Sequence, residues 1–241
     1  MVLPDQTVLG DLRVEHGTIT KIAINGGIEP KENERVIDAS GLYLLPGIID
    51  PQVHFREPGQ PEKEDLGSGS AAAVSGGVTS FLDMPNNKPA IVDMEGMQMK
   101  LDSAAATCVS NYGFFIGATP HNLEQLQEVV GTPSAPKAIP GICGTKIFMG
   151  SSTGTLLVNE HEALDTIFSG IGGLIAVHAE DEARLNERYP SFKDRTDMAA
   201  HAEWRDDVTA LLATKLAVGL AEKHNHRLHV LHLTSGLVEP R

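Results

Sequence analysis

The stretch LYLLPGIIDPQVHFREPG, residues 42–59, joins an apolar run directly to a group of polar side chains. The apolar half is typical of a strand buried in a parallel sheet, and the polar half follows where that strand would end. Gln52, His54 and Arg56 are spaced two residues apart, so an extended chain places them on one side. We therefore predict a ligand site at the end of this strand. Its unusual feature is Gln52, which stands where a second histidine would complete a metal-binding pair.

The rest of the chain repeats the same arrangement. Short apolar runs alternate with helical stretches, which is typical of βα units around a parallel sheet. The predicted strands cover residues 44–50, 78–85, 111–119, 144–150, 174–180 and 227–235, and two of the predicted helices cover residues 94–108 and 201–225. The first forty-three residues differ. There, apolar and polar residues alternate on both sides of His16-Gly17, which predicts a β-hairpin half-buried on one face.

Polar residues follow the predicted strands at their carboxyl ends. They are Asp50, Gln52, His54, Arg56, Asp83, Asn86, Lys146, His178, Glu180, His232 and Thr234. In parallel βα folds these ends meet at one mouth, so we expect the side chains to converge there. Each has a plainer explanation as well, since a single histidine near a strand end is more often a core or rim residue. Their joint placement favours a site.

Composition excludes several classes of partner. A formal net charge of -13 argues against nucleic acid and anionic membrane surfaces, although a local cationic site could still bind a small anion. No apolar run reaches the roughly 18 residues of a membrane span, and the N-terminus lacks the pattern of a signal peptide. We therefore expect a cytoplasmic protein. Cys108 and Cys143 form no CxxC pair and are predicted to be reduced thiols.

Five segments together resemble the motifs of a known family. The segments DPQVHFREPG, DMPNNKP, GTKIFMGSSTG, HAED and LHLTS occur in the order found in dihydroorotases, members of the amidohydrolase superfamily alongside hydantoinases and allantoinases. The resemblance implies an α/β fold, a TIM-type (β/α) barrel with a small N-terminal β-rich domain. On this interpretation residues 1–43 form the small, β-sandwich-like domain and residues 44–241 the amidohydrolase barrel.

The resemblance also implies a metal site. Lys146 matches the lysine whose amine is carboxylated, and the resulting carbamate bridges two divalent ions, usually zinc. His178 and His232 match the histidines that complete one metal's ligands, and His54 matches a histidine of the other. Gln52 is the doubtful ligand, because an amide oxygen binds zinc less well than imidazole does. We therefore predict one tightly bound divalent metal rather than two.

The substrate residues follow from the same comparison. Dihydroorotate carries a carboxylate, so Arg56 matches the guanidinium that anchors it and Asn86 the amide that assists. The implied reaction interconverts dihydroorotate and N-carbamoyl-aspartate in pyrimidine biosynthesis. Two alternatives stay open: a hydantoinase-like or allantoinase-like cyclic amidase, and a non-catalytic homologue that serves as a structural partner. The implied partners are further copies of the chain and aspartate transcarbamoylase.

The number of strands sets this chain apart from a closed barrel. A closed barrel needs eight strand-helix units, and the chain offers about six. The family's catalytic aspartate lies on a later strand, so the activity of residues 1–241 alone is left open. We expect either that these residues belong to a longer chain, which is the simpler explanation, or that another chain covers the open edge.

Overall fold

The computed structural model describes residues 1–150 and 154–238. It contains two compact units, Met1–Ile48 and Ile49–Arg241. The strands are β1 Gly10–Glu15, β2 Thr18–Ile24, β3 Ile48–Val53, β4 Val78–Asp83, β5 Asn111–Gly117, β6 Gly131–Thr132, β7 Ala135–Pro136, β8 Ile142–Phe148, β9 Leu174–His178 and β10 Arg227–Val230. The helices are α1 Leu66–Ser75, α2 Met94–Thr107, α3 Leu123–Val130, α4 His161–Gly170, α5 Glu182–Arg188, α6 Ala199–Trp204 and α7 Asp207–His224.

The first unit contains the predicted hairpin. Strands β1 and β2 pair antiparallel, and the turn between them has positive φ at both His16 and Gly17, as a two-residue hairpin turn of this hand requires. The prediction that one face is half-buried is wrong. The apolar side chains of the hairpin are largely exposed, at 45–57% for Val14, Ile19, Ile22 and Ile24. Alternation in the sequence therefore identified the strands but not what packs on them.

The second unit is built on one six-stranded sheet with the order β10-β9-β8-β5-β4-β3. Strands β4, β5, β8, β9 and β10 pair in parallel with their neighbours in this series, with helices between the strands, so the sheet forms an open half of a TIM-type barrel. This confirms the predicted barrel, truncated after six strands. The short ladder of β6 and β7 lies between α3 and β8 and stands apart from this sheet.

The two faces of the sheet differ in what they bury. The larger hydrophobic core lies under the helices and includes Ile147 and Val177, which are paired in register. Their neighbours Lys146 and Ala176 are also paired, and they point to the opposite face because side chains alternate along a strand. A barrel turns that opposite face inward. Lys146 therefore projects into the inside of the half-barrel.

Aspartate side chains begin four of the helices. Asp65, Asp93, Asp181 and Asp206 each accept a hydrogen bond from a backbone N–H in the first turn of the following helix. One of these caps corrects a prediction. The helix expected over residues 201–225 is two helices, α6 and α7, because Asp206 adopts an extended conformation and starts a new helix. The helix predicted over residues 94–108 is confirmed as α2.

Two strands differ from prediction by more than two residues. Strand β3 runs over Ile48–Val53 rather than residues 44–50, and Pro46, which has no N–H to donate, lies outside it. Strand β10 ends at Val230 instead of continuing to residue 235. The φ of 37° at His232 is incompatible with an extended strand. Both shifts leave the candidate site residues at the carboxyl ends of the strands.

Candidate metal and substrate site

Lys146 is the most unusual residue at the mouth of the half-barrel. Its side chain is fully buried, and its Nζ has no hydrogen-bond partner among the residues that the structure describes. The Nζ lies 4.5 Å from the centroid of the Phe148 ring, the next side chain on the same face of β8. Burial lowers the pKa of Lys146 to about 7. Near neutral pH a substantial fraction of the amine is therefore uncharged, and the uncharged amine is a nucleophile.

His178 and His232 meet beside this lysine. Nδ1 of His178 lies 3.0 Å from Nε2 of His232. Two nitrogens that bind one tetrahedral zinc ion lie about 3.3–3.4 Å apart, so this pair is close to the required separation. His232 as a whole is exposed, but reduced hydration of its ring, together with the nearby His178 and Lys146, lowers the pKa of His232 to about 4. A low pKa keeps this imidazole neutral, as a metal ligand must be.

A carboxylate fixes the orientation of the first histidine. Nε2 of His178 donates to Glu180, with Nε2 and Oε2 2.5 Å apart, which leaves Nδ1 as the nitrogen facing His232. Arg205 holds Glu180 in turn, since its guanidinium donates to both carboxylate oxygens. Burial alone would raise the pKa of Glu180, but the hydrogen bonds from His178 and Arg205 outweigh it and lower the pKa to about 2. The carboxylate is therefore charged when it orients the ring.

His54 enters the mouth from the other end of the sheet. Its Nδ1 donates to Oδ1 of Asn86 over 2.7 Å, so its Nε2 is the nitrogen available to a metal. The side-chain nitrogen of Gln52 lies 3.4 Å from this Nε2, which places the doubtful ligand beside the metal-facing side of His54. The structure thus gives Asn86 a contact that the sequence did not predict. Its assignment to the substrate stays a prediction.

Electrostatics link the two ends of the site. Burial lowers the pKa of His54, whereas the hydrogen bond to Asn86 raises it. The charges of Arg56, Lys146 and His178 lower this pKa further, although these residues follow three different strands. Such an effect requires proximity. The structure therefore brings His54, Lys146, His178 and His232 toward one mouth, as the strand ends predicted.

Arg56 lies next to this mouth in a well-held loop. Its backbone N–H donates to the carbonyl of Glu64, and its carbonyl accepts from the N–H of Gln60. The side chain is partly buried beside His54. A guanidinium in this position offers paired donors to a carboxylate.

Several supporting residues were missed by sequence reasoning. Glu180 was noted only for its place at a strand end, and Arg205 was not singled out. Lys100 on α2 was also overlooked, although a signal existed: Met97, Lys100 and Ala104 recur at helical spacing and all three are buried. A lysine on the apolar face of a helix calls for a partner inside the protein.

Comparison with known proteins gives the family. The profile of the amidohydrolase family matches residues 43–229, which is more than half of the chain. The chain belongs to the amidohydrolase family. This confirms the resemblance drawn from the five motifs. No helix in the described part of this family member has the length and apolarity needed to cross a membrane.

Individual relatives within the family carry different names. A dihydroorotase of Methanosarcina acetivorans is 34% identical over 230 residues, covering 93% of this chain and 46% of that protein. An allantoinase of Solibacter usitatus is 32% identical, covering 95% and 49%. The solved L-hydantoinase of Arthrobacter aurescens matches with a TM-score of 0.79 and 26% identity, covering 93% and 49%. The chain thus spans about half the length of the relatives it matches.

Proposed function

We propose that this chain carries metal-binding and substrate-binding residues of a metal-dependent cyclic amide hydrolase that acts on dihydroorotate. The observation that carries the proposal is Lys146, a buried amine with no hydrogen-bond partner among the described residues and a pKa lowered by burial to about 7. An uncharged amine can attack carbon dioxide, and loss of one proton then gives a carbamate. The product is an anion with two oxygens, at the point where a charged lysine would be costly.

The donor set suits a divalent metal. Among the described residues, no three His, Cys, Asp or Glu side chains lie together as metal ligands. Lys146 is the further candidate ligand beside His178 and His232. The carbamate of Lys146 would be that ligand, and His54 would contribute to the second position. Because Gln52 is a poor zinc ligand, we expect one tightly held ion, with His178, His232 and Lys146 as its ligands. When bound, zinc supplies Lewis-acid chemistry that polarises a carbonyl and acidifies water.

The remaining residues of the site bind and orient. Arg56 would bind the carboxylate of dihydroorotate through paired hydrogen bonds. Asn86 keeps the proton of His54 on Nδ1, and Glu180 keeps the proton of His178 on Nε2, so each ring turns its other nitrogen to the mouth. Water adds to the amide carbonyl of the substrate ring, the C–N bond breaks, and the ring nitrogen gains a proton to give N-carbamoyl-aspartate.

Substitution of Arg56 tests whether dihydroorotate is the substrate. Dihydrouracil is dihydroorotate without its carboxylate, so the two compounds differ only in the group that Arg56 would bind. We expect Arg56→Met to weaken dihydroorotate binding to the zinc-loaded protein by about ten- to a hundredfold and to leave dihydrouracil binding unchanged. Titration calorimetry measures both affinities, and turnover is assayed in parallel. Arg227→Met, at the opposite end of the sheet, is the matched control and should change neither affinity.

Other outcomes would favour the alternatives. Preferential turnover of dihydrouracil, unaffected or improved by Arg56→Met, would assign the chain to the hydantoinase-like or allantoinase-like amidases. Absence of turnover with zinc and bicarbonate, together with a stable complex with aspartate transcarbamoylase, would support a structural partner instead. If Arg56→Met weakened the binding of dihydroorotate and of dihydrouracil equally, the result would contradict a contact between Arg56 and the substrate carboxylate.

A further inference from the structure

A buried ion pair lies directly beneath the loop that carries His54 and Arg56. Nζ of Lys100, on α2, is 2.6 Å from Oδ2 of Asp83, the last residue of β4, and the two side chains are 1% and 0% exposed. The other carboxylate oxygen, Oδ1 of Asp83, accepts hydrogen bonds from the backbone N–H groups of Phe55 and Met84, at 3.0 and 2.9 Å. The ion pair is therefore hydrogen-bonded to Phe55, which lies between the two site residues in the sequence.

Asn87 closes the same network from the other side. Its Oδ1 accepts from Nζ of Lys100 over 2.7 Å. Its Nδ2 donates to the carbonyl oxygens of Phe55 and Glu57, at 3.2 and 3.0 Å. The N–H and the C=O of Phe55 are thus both held by side chains that Lys100 contacts.

The side chain of Phe55 is fixed as well. It is buried, its ring lies edge-on to Phe81 with centroids 4.8 Å apart, and it fills the space above Gly69 on α1. A Cβ at Gly69 would come within 2.6 Å of Cε1 of the Phe55 ring, so only glycine allows this approach. Because the side chain of Phe55 is fixed in the core, the directions in which the neighbouring side chains of His54 and Arg56 can point are constrained.

We infer that Lys100, Asp83 and Asn87 form a clamp on Phe55 that positions both His54 and Arg56, a role whose catalytic meaning rests on the proposed function. The physical reason for a charged pair is the carboxylate, which accepts two backbone N–H groups better than a neutral group does. A carboxylate buried here needs a compensating cation, and Lys100 provides it while bridging to Asn87. Lys100 is therefore a positioning residue that acts through Asp83 and Asn87.

Two double variants test the clamp. Lys100→Met with Asp83→Asn removes both charges but keeps an oxygen that can accept from Phe55, whereas Lys100→Met with Asp83→Leu removes the charges and the acceptor. We expect exchange of the Phe55 amide hydrogen, measured by NMR in metal-free and substrate-free protein, to accelerate at least about tenfold in the leucine variant relative to the asparagine variant. Equal exchange rates at Phe55 in the two variants would overturn the clamp.

A single variant provides an independent route if the leucine variant does not fold. Asn87→Ala removes the two donors to the carbonyls of Phe55 and Glu57 while leaving the ion pair intact, and we expect it to accelerate exchange across residues 54–57. Leu126→Ala in α3 controls for general loss of stability, because Leu126 is fully buried in the core under the helices. Matching acceleration over residues 54–57 in this control would contradict a specific clamp.

The kinetic consequence separates the clamp from the proposed function. We expect the KM for dihydroorotate to rise ten- to a hundredfold in Asn87→Ala, because Arg56 is no longer held in place, and to stay within about twofold in Leu126→Ala. Equal KM changes in the two variants would contradict the positioning role. If the parent protein neither turns over nor binds dihydroorotate, the proposed function fails, while the exchange comparison still decides whether the clamp exists.

Discussion

The charge of Lys146 depends on pH in a way that the fold determines. Burial lowers its pKa from 10.5 to about 7, so the folded chain releases this proton well before the unfolded chain does. Between these two values the unfolded chain holds more protons. The free energy of unfolding therefore rises with pH through this window.

The stability of the metal-free protein should show this dependence. We expect the free energy of unfolding of the parent to rise between pH 7 and pH 9 by on the order of 1 kcal/mol per pH unit more than that of Lys146→Met. Urea unfolding in metal-free and carbon dioxide-free buffer measures the difference. Parallel pH profiles in the two proteins would show that Lys146 does not release its proton on folding as its burial requires.

At the scale of elements, the junction between α6 and α7 depends on one side chain. Oδ1 of Asp206 accepts from the backbone N–H and the hydroxyl of Thr209, and both carboxylate oxygens accept from Arg184 on α5. The hydrogen bond from Arg184 is the main reason that the pKa of Asp206 lies well below its usual range. One carboxylate thus starts α7 and ties it to α5.

Removal of this carboxylate should destabilise the protein. We expect Asp206→Ala to lower the free energy of unfolding by about 1–2 kcal/mol, since the cap of an 18-residue helix is lost. Asp206→Asn should cost less because it keeps an oxygen for Thr209. Asp207→Ala, one residue further in an exposed position, is the control for loss of charge in the first turn. Thermal or urea unfolding compares the three, and equal costs for all would contradict the capping role.

Element boundaries show what sequence patterns can predict. All six strands of the sheet were identified, because buried parallel strands form continuous apolar runs. The break before Asp207 was missed, although an aspartate at residue 206 could have signalled a helix start. The early end of β10 could not be predicted, since nothing in LHLTS shows that His232 adopts a φ of 37°. Local backbone conformation of this kind is set by tertiary contacts.

At the scale of the whole molecule, the candidate site comes from residues far apart in sequence. The topology orders β3 at one edge of the sheet and β10 at the other, so His54 and His232 approach the mouth from opposite sides. This convergence was predictable from strand ends alone. The contacts of Lys100 with Asp83 and Asn87 were not, because a pair between a helix and a strand leaves no local pattern.

The central claim is that Lys146 is carboxylated and binds a metal, and it is tested most directly by detecting the carbamate itself. The experiment loads the protein with zinc in buffer containing carbon-13 bicarbonate, and records the carbamate resonance by NMR alongside zinc binding. We expect the parent to show one carbamate resonance together with one tightly bound zinc ion, and Lys146→Met to show no resonance and much weaker zinc binding. Equal zinc affinity in the two proteins with no carbamate resonance in either would contradict the claim.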